Sequence, residues 1–151
     1  MAKTQVTAGS PPETADRAAP ANAFYVAINR GDLDAAIDLM APEAVHRTAI
    51  SDYRAPGVRV LFSTLREVLP DLEIQVVDQR SNGNRIISTV VFTGTHEGSY
   101  LGKPATGRPV AWRSTDIIEI DPYGRIGERD WDVFGDPSLW KQLGFIPAIM
   151  C

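Results

Sequence analysis

The chain contains one cysteine, Cys151, and it is the final residue. An internal disulfide is therefore excluded, and this usage suits a reducing cytoplasm. With no base near it in sequence, Cys151 reads as a frayed end rather than a nucleophile. No apolar run is long enough to span a bilayer, and Met1-Ala2-Lys3-Thr4-Gln5-Val6 lacks the apolar segment of a signal peptide. Basic residues are the minority, 15 Lys and Arg against 19 Asp and Glu, which leaves a net charge of −4. That balance argues against nonspecific nucleic-acid binding, which needs a basic surface. The only two histidines, His46 and His96, lack metal-ligand spacing, so no metal is expected. No nucleotide-binding pattern occurs either, and Gly102 and Gly107 read as turn residues.

What is present is an ordinary globular composition, 44% hydrophobic over 151 residues, enough for one domain with a sizeable core. Residues 1–14 are small and polar, with Pro11 and Pro12, and read as a disordered arm; residues 15–151 form the single domain. Ala18, Ala21, Phe24, Tyr25 and Ile28 recur at helical spacing within Asp16 to Arg30, and Pro20 places the start of the regular helix near itself. Arg30-Gly31 stops that helix and Asp32 caps a second, which carries Leu33, Ala36, Ile37 and Met40 and ends at Pro42. A short strand is expected over Ala44 to Ile50. A third helix follows over Pro56 to Leu69, with Val60, Leu61, Leu65 and Val68 inward.

Four strand-like runs come next: Leu72 to Gln79, Ile86 to His96, Val110 to Ile120 and Arg125 to Phe134. Asn82-Gly83 marks a hairpin turn, Gly98 to Pro109 a long loop, and Asp136-Pro137 opens a short last helix with Leu139, Trp140 and Leu143 apolar. Helices followed by a run of antiparallel strands make an α+β plan, with room for a pocket between a bent sheet and its helices.

The hairpin from Asp116 to Asp132 carries the chemistry. Its turn is Asp121-Pro122-Tyr123-Gly124-Arg125, with proline suited to a type I turn and glycine to the left-handed position after it. Pairing Asp121 with Arg125 sets Asp116 opposite Asp130, Ser114 opposite Asp132 and Trp112 opposite Phe134. Asp130 and Asp132 then share one face with Asp116 across from them. Opposed like charges destabilise a sheet unless the face is solvated, one acid is protonated, or a site uses the charge. The competing interpretation is a charged strand face pairing with Arg129, Arg113 or Arg125, reached by a one-residue slip in register.

Three stretches resemble the SnoaL-like polyketide cyclases, also called ester cyclases, of the nuclear-transport-factor-like superfamily. They are Thr93-Gly94-Thr95-His96-Glu97-Gly98 with Leu101 to Arg108, Asp116-Ile117-Ile118 with Gly124-Arg125-Ile126, and Trp131-Asp132-Val133-Phe134 with Gln142-Leu143-Gly144. The resemblance covers roughly residues 20 to 145. It implies a cone-shaped barrel, a strongly curved antiparallel sheet with three N-terminal helices over a pocket and a short C-terminal helix. It also implies an intramolecular aldol condensation that closes a ring of an aromatic polyketide, with no metal or organic cofactor. The family's tryptophan-aspartate pair falls on Trp131-Asp132, which makes Asp132 the acid/base. This hairpin is one residue longer than the common form, so counting from the turn gives Asp130 instead. The family's partner position falls on Asp116.

Such a carboxyl takes a proton from a methylene between carbonyls and returns it to the alkoxide, and burial beside a second carboxylate raises its pKa for that task. His96, before the long loop, is placed to hydrogen-bond a substrate carbonyl or simply to hold the loop, and His46 is a weaker candidate for the pocket. Trp112, Phe92, Trp131, Phe134, Tyr53 and Tyr100 are candidate walls for a flat aromatic ligand, though core packing explains most of them equally well. The expected partner is a small polyketide-like molecule, and a homodimer or higher homo-oligomer is expected to cover an open sheet face. Two rivals stand: epoxide hydrolysis or cyclisation by Asp116, Asp130, Asp132 and Arg129, and a non-catalytic ligand-binding or dimerisation module.

Overall fold

The computed structural model describes residues 12–48, 52–131 and 137–144. Helix α1 spans Pro12–Asn29, α2 Leu33–Asp38 and α3 Ala55–Val68, with strands β1 (Met40–Arg47) and β2 (Asp52–Tyr53) between α2 and α3. Four long strands follow, β3 (Glu73–Asn82), β4 (Arg85–Thr95), β5 (Pro109–Ile120) and β6 (Ile126–Trp131), and then α4 (Pro137–Gln142). The six strands form one sheet in the order β2-β1-β6-β5-β4-β3. It is mixed rather than wholly antiparallel, because β1 runs parallel to β6, and it stays open between the edge strands β2 and β3.

The α+β plan and helix-over-sheet arrangement expected from the sequence are present, with several boundaries moved. Helix α1 begins at Pro12, not near Pro20, so residues 12–14 belong to it and not to an arm; residues 1–11 lie outside the described residues. Pro20 removes one backbone donor, yet Ala18, Ala21, Phe24, Tyr25 and Ile28 are buried as one stripe, and their packing outweighs that loss. The second helix stops at Asp38, and Met40 and Pro42 belong to β1 instead. Asp32 caps α2 through its side chain, which accepts from the Ala35 N–H at 3.1 Å. In α3 the buried stripe is Val58, Phe62, Leu65 and Val68, whereas Val60 is 64% exposed, because two residues from Val58 is the far side of a helix.

Alternate residues of β4 and β5 are buried, and they face α1. Three register shifts among the described strands bend the sheet around this core, at Met40/Val45 on β1 against β6, at Val76/Asp78 on β3 and at Glu119/Ile120 on β5 against β6. The loop after β4 is clasped to the end of α3: the Glu97 and Gly98 N–H groups donate to the Val68 carbonyl at 3.0 and 3.1 Å. A Cβ on Gly98 would sit 2.1 Å from the Glu67 carbonyl oxygen, so only glycine allows this approach. Among the described residues no helix is long and apolar enough to cross a membrane.

Candidate active site

The hairpin closes at its turn as expected, with the Asp121 N–H donating to the Arg125 carbonyl at 2.8 Å and Ile120 facing Ile126. Beyond that pair the register departs from the expectation. Glu119 faces Glu128, so Gly127 is an extra residue on β6, and Asp116 faces Trp131 rather than Asp130. One bulged residue moves every later side chain to the other face. Arg129 therefore points inward and Asp130 outward.

Inside, Asp116 and Arg129 form a fully buried ion pair, with Nη2 donating to Oδ2 at 2.5 Å. The Tyr25 hydroxyl of α1 donates to the same oxygen, and the Ser114 hydroxyl stands 3.5 Å from Oδ1. The guanidinium lies over the rings of Phe24 and Tyr25, with centroids at 4.8 and 5.7 Å. Burial and the neighbouring Asp116 charge push the Tyr25 phenol well above its usual pKa, so it remains a hydroxyl donor. Outside, Asp130 is 59% exposed at its side chain and reaches Arg47 at 3.5 Å, which also pairs with Glu128 at 3.0 Å. Asp132 and Phe134 lie outside the described residues.

His46 is fully buried on β1 beside Arg129 of β6, and its ring lies 5.9 Å from that of Phe24. Burial, reinforced by the Arg129 charge, lowers its pKa to about 2, so the imidazole is neutral. Tyr53, on β2, is half-buried and pairs with His46 across the strands. Phe92 and Trp112 face each other on β4 and β5 and stack in parallel, 4.7 Å apart at 5°.

His96 sits at the other end of β4 from this cluster. Its Nδ1 accepts from the Thr106 N–H at 3.3 Å and lies 3.1 Å from the Thr106 hydroxyl, while its backbone bonds Arg108 and Gly107. These contacts fasten the long loop. Tyr100, on that loop, lines a small apolar cleft of about 30 Å³ with Leu61, Leu65, Val68, Leu139 and Leu143.

The geometry thus gathers Asp116, Arg129, Tyr25, His46 and Ser114, and leaves Asp130, His96 and Tyr100 elsewhere. Tyr25 was legible only as part of a helical stripe. A tyrosine in such a stripe is nonetheless a signal, since a buried phenol needs an acceptor.

The chain is similar over 89% of its length to AclR, a candidate hydroxylase from Streptomyces galilaeus, at 25% identity and a TM-score of 0.79, covering 99% of that chain. It is also similar to IdmH, a candidate polyketide cyclase from Streptomyces antibioticus, at 25% identity and a TM-score of 0.74, covering 85% of this chain and 99% of that one. TsrD from Streptomyces laurentii is similar at 25% identity and a TM-score of 0.72, over 87% of this chain and 97% of that one. No curated protein matches the chain. The SnoaL-like polyketide cyclase profile matches residues 19–143, most of the chain and every element from within α1 to α4. On that match, the chain belongs to the SnoaL-like polyketide cyclase family.

Proposed function

We propose that the chain closes a ring in an aromatic polyketide-type intermediate by an intramolecular aldol condensation, using acid/base side chains and no cofactor. The observation that supports this most directly is a carboxylate, Asp116, buried among aromatic side chains with an arginine and a tyrosine as its partners. In such a reaction a base removes a proton from a carbon flanked by carbonyls, the enolate carbon attacks a second carbonyl, and the alkoxide takes the proton back. By family resemblance Asp132 removes and returns that proton. Asp116 holds Arg129 in place, and the guanidinium charge favours the anionic enolate. Asp130, exposed and paired with Arg47, is the weaker acid/base candidate. Phe92 and Trp112, stacked in parallel, are buried and belong to the packed core.

A second reading rests on the same cluster. A carboxylate that orients water beside a hydroxyl that donates to an epoxide oxygen suits epoxide opening, and Asp116 and Tyr25 would take these roles if the Tyr25 hydroxyl turned from Asp116 to the epoxide.

An aromatic β-keto ester with a second carbonyl within reach, incubated with the protein in heavy water, separates the two. Ring closure with deuterium at the reacting carbon, lost in Asp132→Asn and sharply reduced in Asp116→Asn, is the expected result. An aromatic epoxide taking up solvent oxygen, with no turnover of the keto ester, replaces the first reading by the second. No turnover of either compound leaves a binding module.

A further inference from the structure

Among the described residues, several buried side chains keep hydrogen-bonding capacity that the fold does not use, and His46 keeps it at both ring nitrogens. Neither ring nitrogen of the fully buried His46 has a hydrogen-bond partner among the described residues. Leaving buried polar atoms unpaired costs about 1–3 kcal/mol each, and a native fold keeps such groups for a reason. His96 is the contrast: it is also buried, but its Nδ1 is engaged by Thr106.

The surroundings of His46 define what it can do. Arg129 is its direct neighbour across the β1–β6 pairing, anchored in turn by Asp116, and Tyr25 shares that carboxylate. Phe24 packs against the imidazole and Tyr53 faces it from β2. A ring held neutral beside a fixed positive charge has one N–H and one lone pair. A lone pair with so little affinity for protons makes a poor base at neutral pH, whereas the same positive field strengthens the N–H as a donor.

We propose that His46 is a catalytic hydrogen-bond donor, whose neutral imidazole N–H binds a substrate carbonyl oxygen and stabilises the enolate formed there. This rests on the enolate chemistry proposed above. The carbon-bound proton goes to the carboxylate base, the C–H electron pair moves into the enolate, and negative charge collects on the oxygen facing His46. The imidazole keeps its proton throughout.

The test uses the full-length, nitrogen-15-labelled protein and substituted 2-naphthols of graded acidity, whose naphtholates mimic an aromatic enolate. With only two histidines, His46→Gln assigns the ring signals. The expected result is a neutral His46 imidazole whose N–H proton moves downfield on naphtholate binding, increasingly so for the more basic naphtholates, while His96 stays put. His46→Phe should melt no lower than the parent protein yet slow deuterium exchange into the aromatic β-keto ester by about 10²-fold, the usual effect of removing one oxyanion donor. His46→Gln, which retains an N–H, should recover part of that loss. A naphtholate that binds without moving the His46 signals, or exchange unchanged in His46→Phe, overturns this role and leaves the cyclase reading standing. Absence of exchange in the parent protein overturns both.

Discussion

The Tyr25 hydroxyl and the Asp116 carboxylate meet at 2.5 Å across 91 residues of sequence, both buried, and so tie the first helix to the middle of the sheet. The donors behind this contact point the same way. Asn22 and Gln79 bond each other through their amides, the Gln79 amide also donates to the Ser88 hydroxyl at 3.0 Å, and Ser88 bonds Tyr25. An amide N–H can only donate, so the Ser88 and Tyr25 protons are driven toward Asp116.

Tyr25→Phe keeps the ring and removes that donor. A hydrogen bond to a charged group contributes about 1.5–3 kcal/mol, and urea unfolding at pH 7 should show a loss in that range. The alkaline limb should change as well. The phenol ionises near 10.0 in the unfolded chain and higher in the folded one, so its contribution is complete below pH 10.0 and lost as pH rises above it. Unfolding curves between pH 8 and 11 should fall more steeply for the parent than for Tyr25→Phe.

Arg129→Met should be among the most damaging single changes in the chain, because it strands Asp116 in the core. Removing one partner of a buried pair costs about 3–5 kcal/mol, whereas replacing both with apolar residues is often neutral. The double variant Arg129→Met/Asp116→Leu should therefore be more stable than Arg129→Met in a urea double-mutant cycle, while remaining inactive. A double variant no more stable than the single one would show that the pair does not act as a unit.

His46 adds an acid-side dependence of opposite sign. Its folded pKa of about 2 lies below the usual 6.5, so its contribution is present above pH 6.5 and lost as pH falls toward 2. The slope approaches about 1.4 kcal/mol per pH unit while the unfolded ring is charged and the folded one is not. His46→Phe should lack this part of the slope in unfolding measurements from pH 7 to 4.

Gly98→Ala should destabilise by about 3 kcal/mol or more, at or beyond the upper end of ordinary overpacking, since the added methyl meets backbone atoms of Glu67 and Val68 that cannot rotate away. Thermal melting checks it. A shift of less than a degree would mean that the loop lifts off α3 at little cost.

Much of the architecture was legible in local pattern. The stripe from Ala18 to Ile28, the Asp32 cap and the alternation along β4 and β5 each report a nearby physical constraint, and the family signatures led to the same fold. The parallel contact of β1 with β6 was not legible, because strands some eighty residues apart leave no local trace of their pairing. The short β2 had no periodicity to betray it. In the candidate site, Asp116 and His46 are legible in the sequence, whereas the buried bond from Arg129 to Asp116 is not, because the unbulged register puts Arg129 on the other face. Gly127 was the missing clue, since an isolated glycine inside a strand pattern is a bulge signal.

That glycine makes the interior of the hairpin a matter of parity. Up to Ile126 the strand count is even with its partner; after Gly127 it is odd, and the odd positions carry Arg129 where the even ones carry Glu128 and Asp130. The same run of side chains therefore turns a cation or a pair of anions toward the interior according to a single inserted backbone unit. Insertion or deletion at this spot would reverse the sign of the buried charge while leaving every neighbouring side chain as it is.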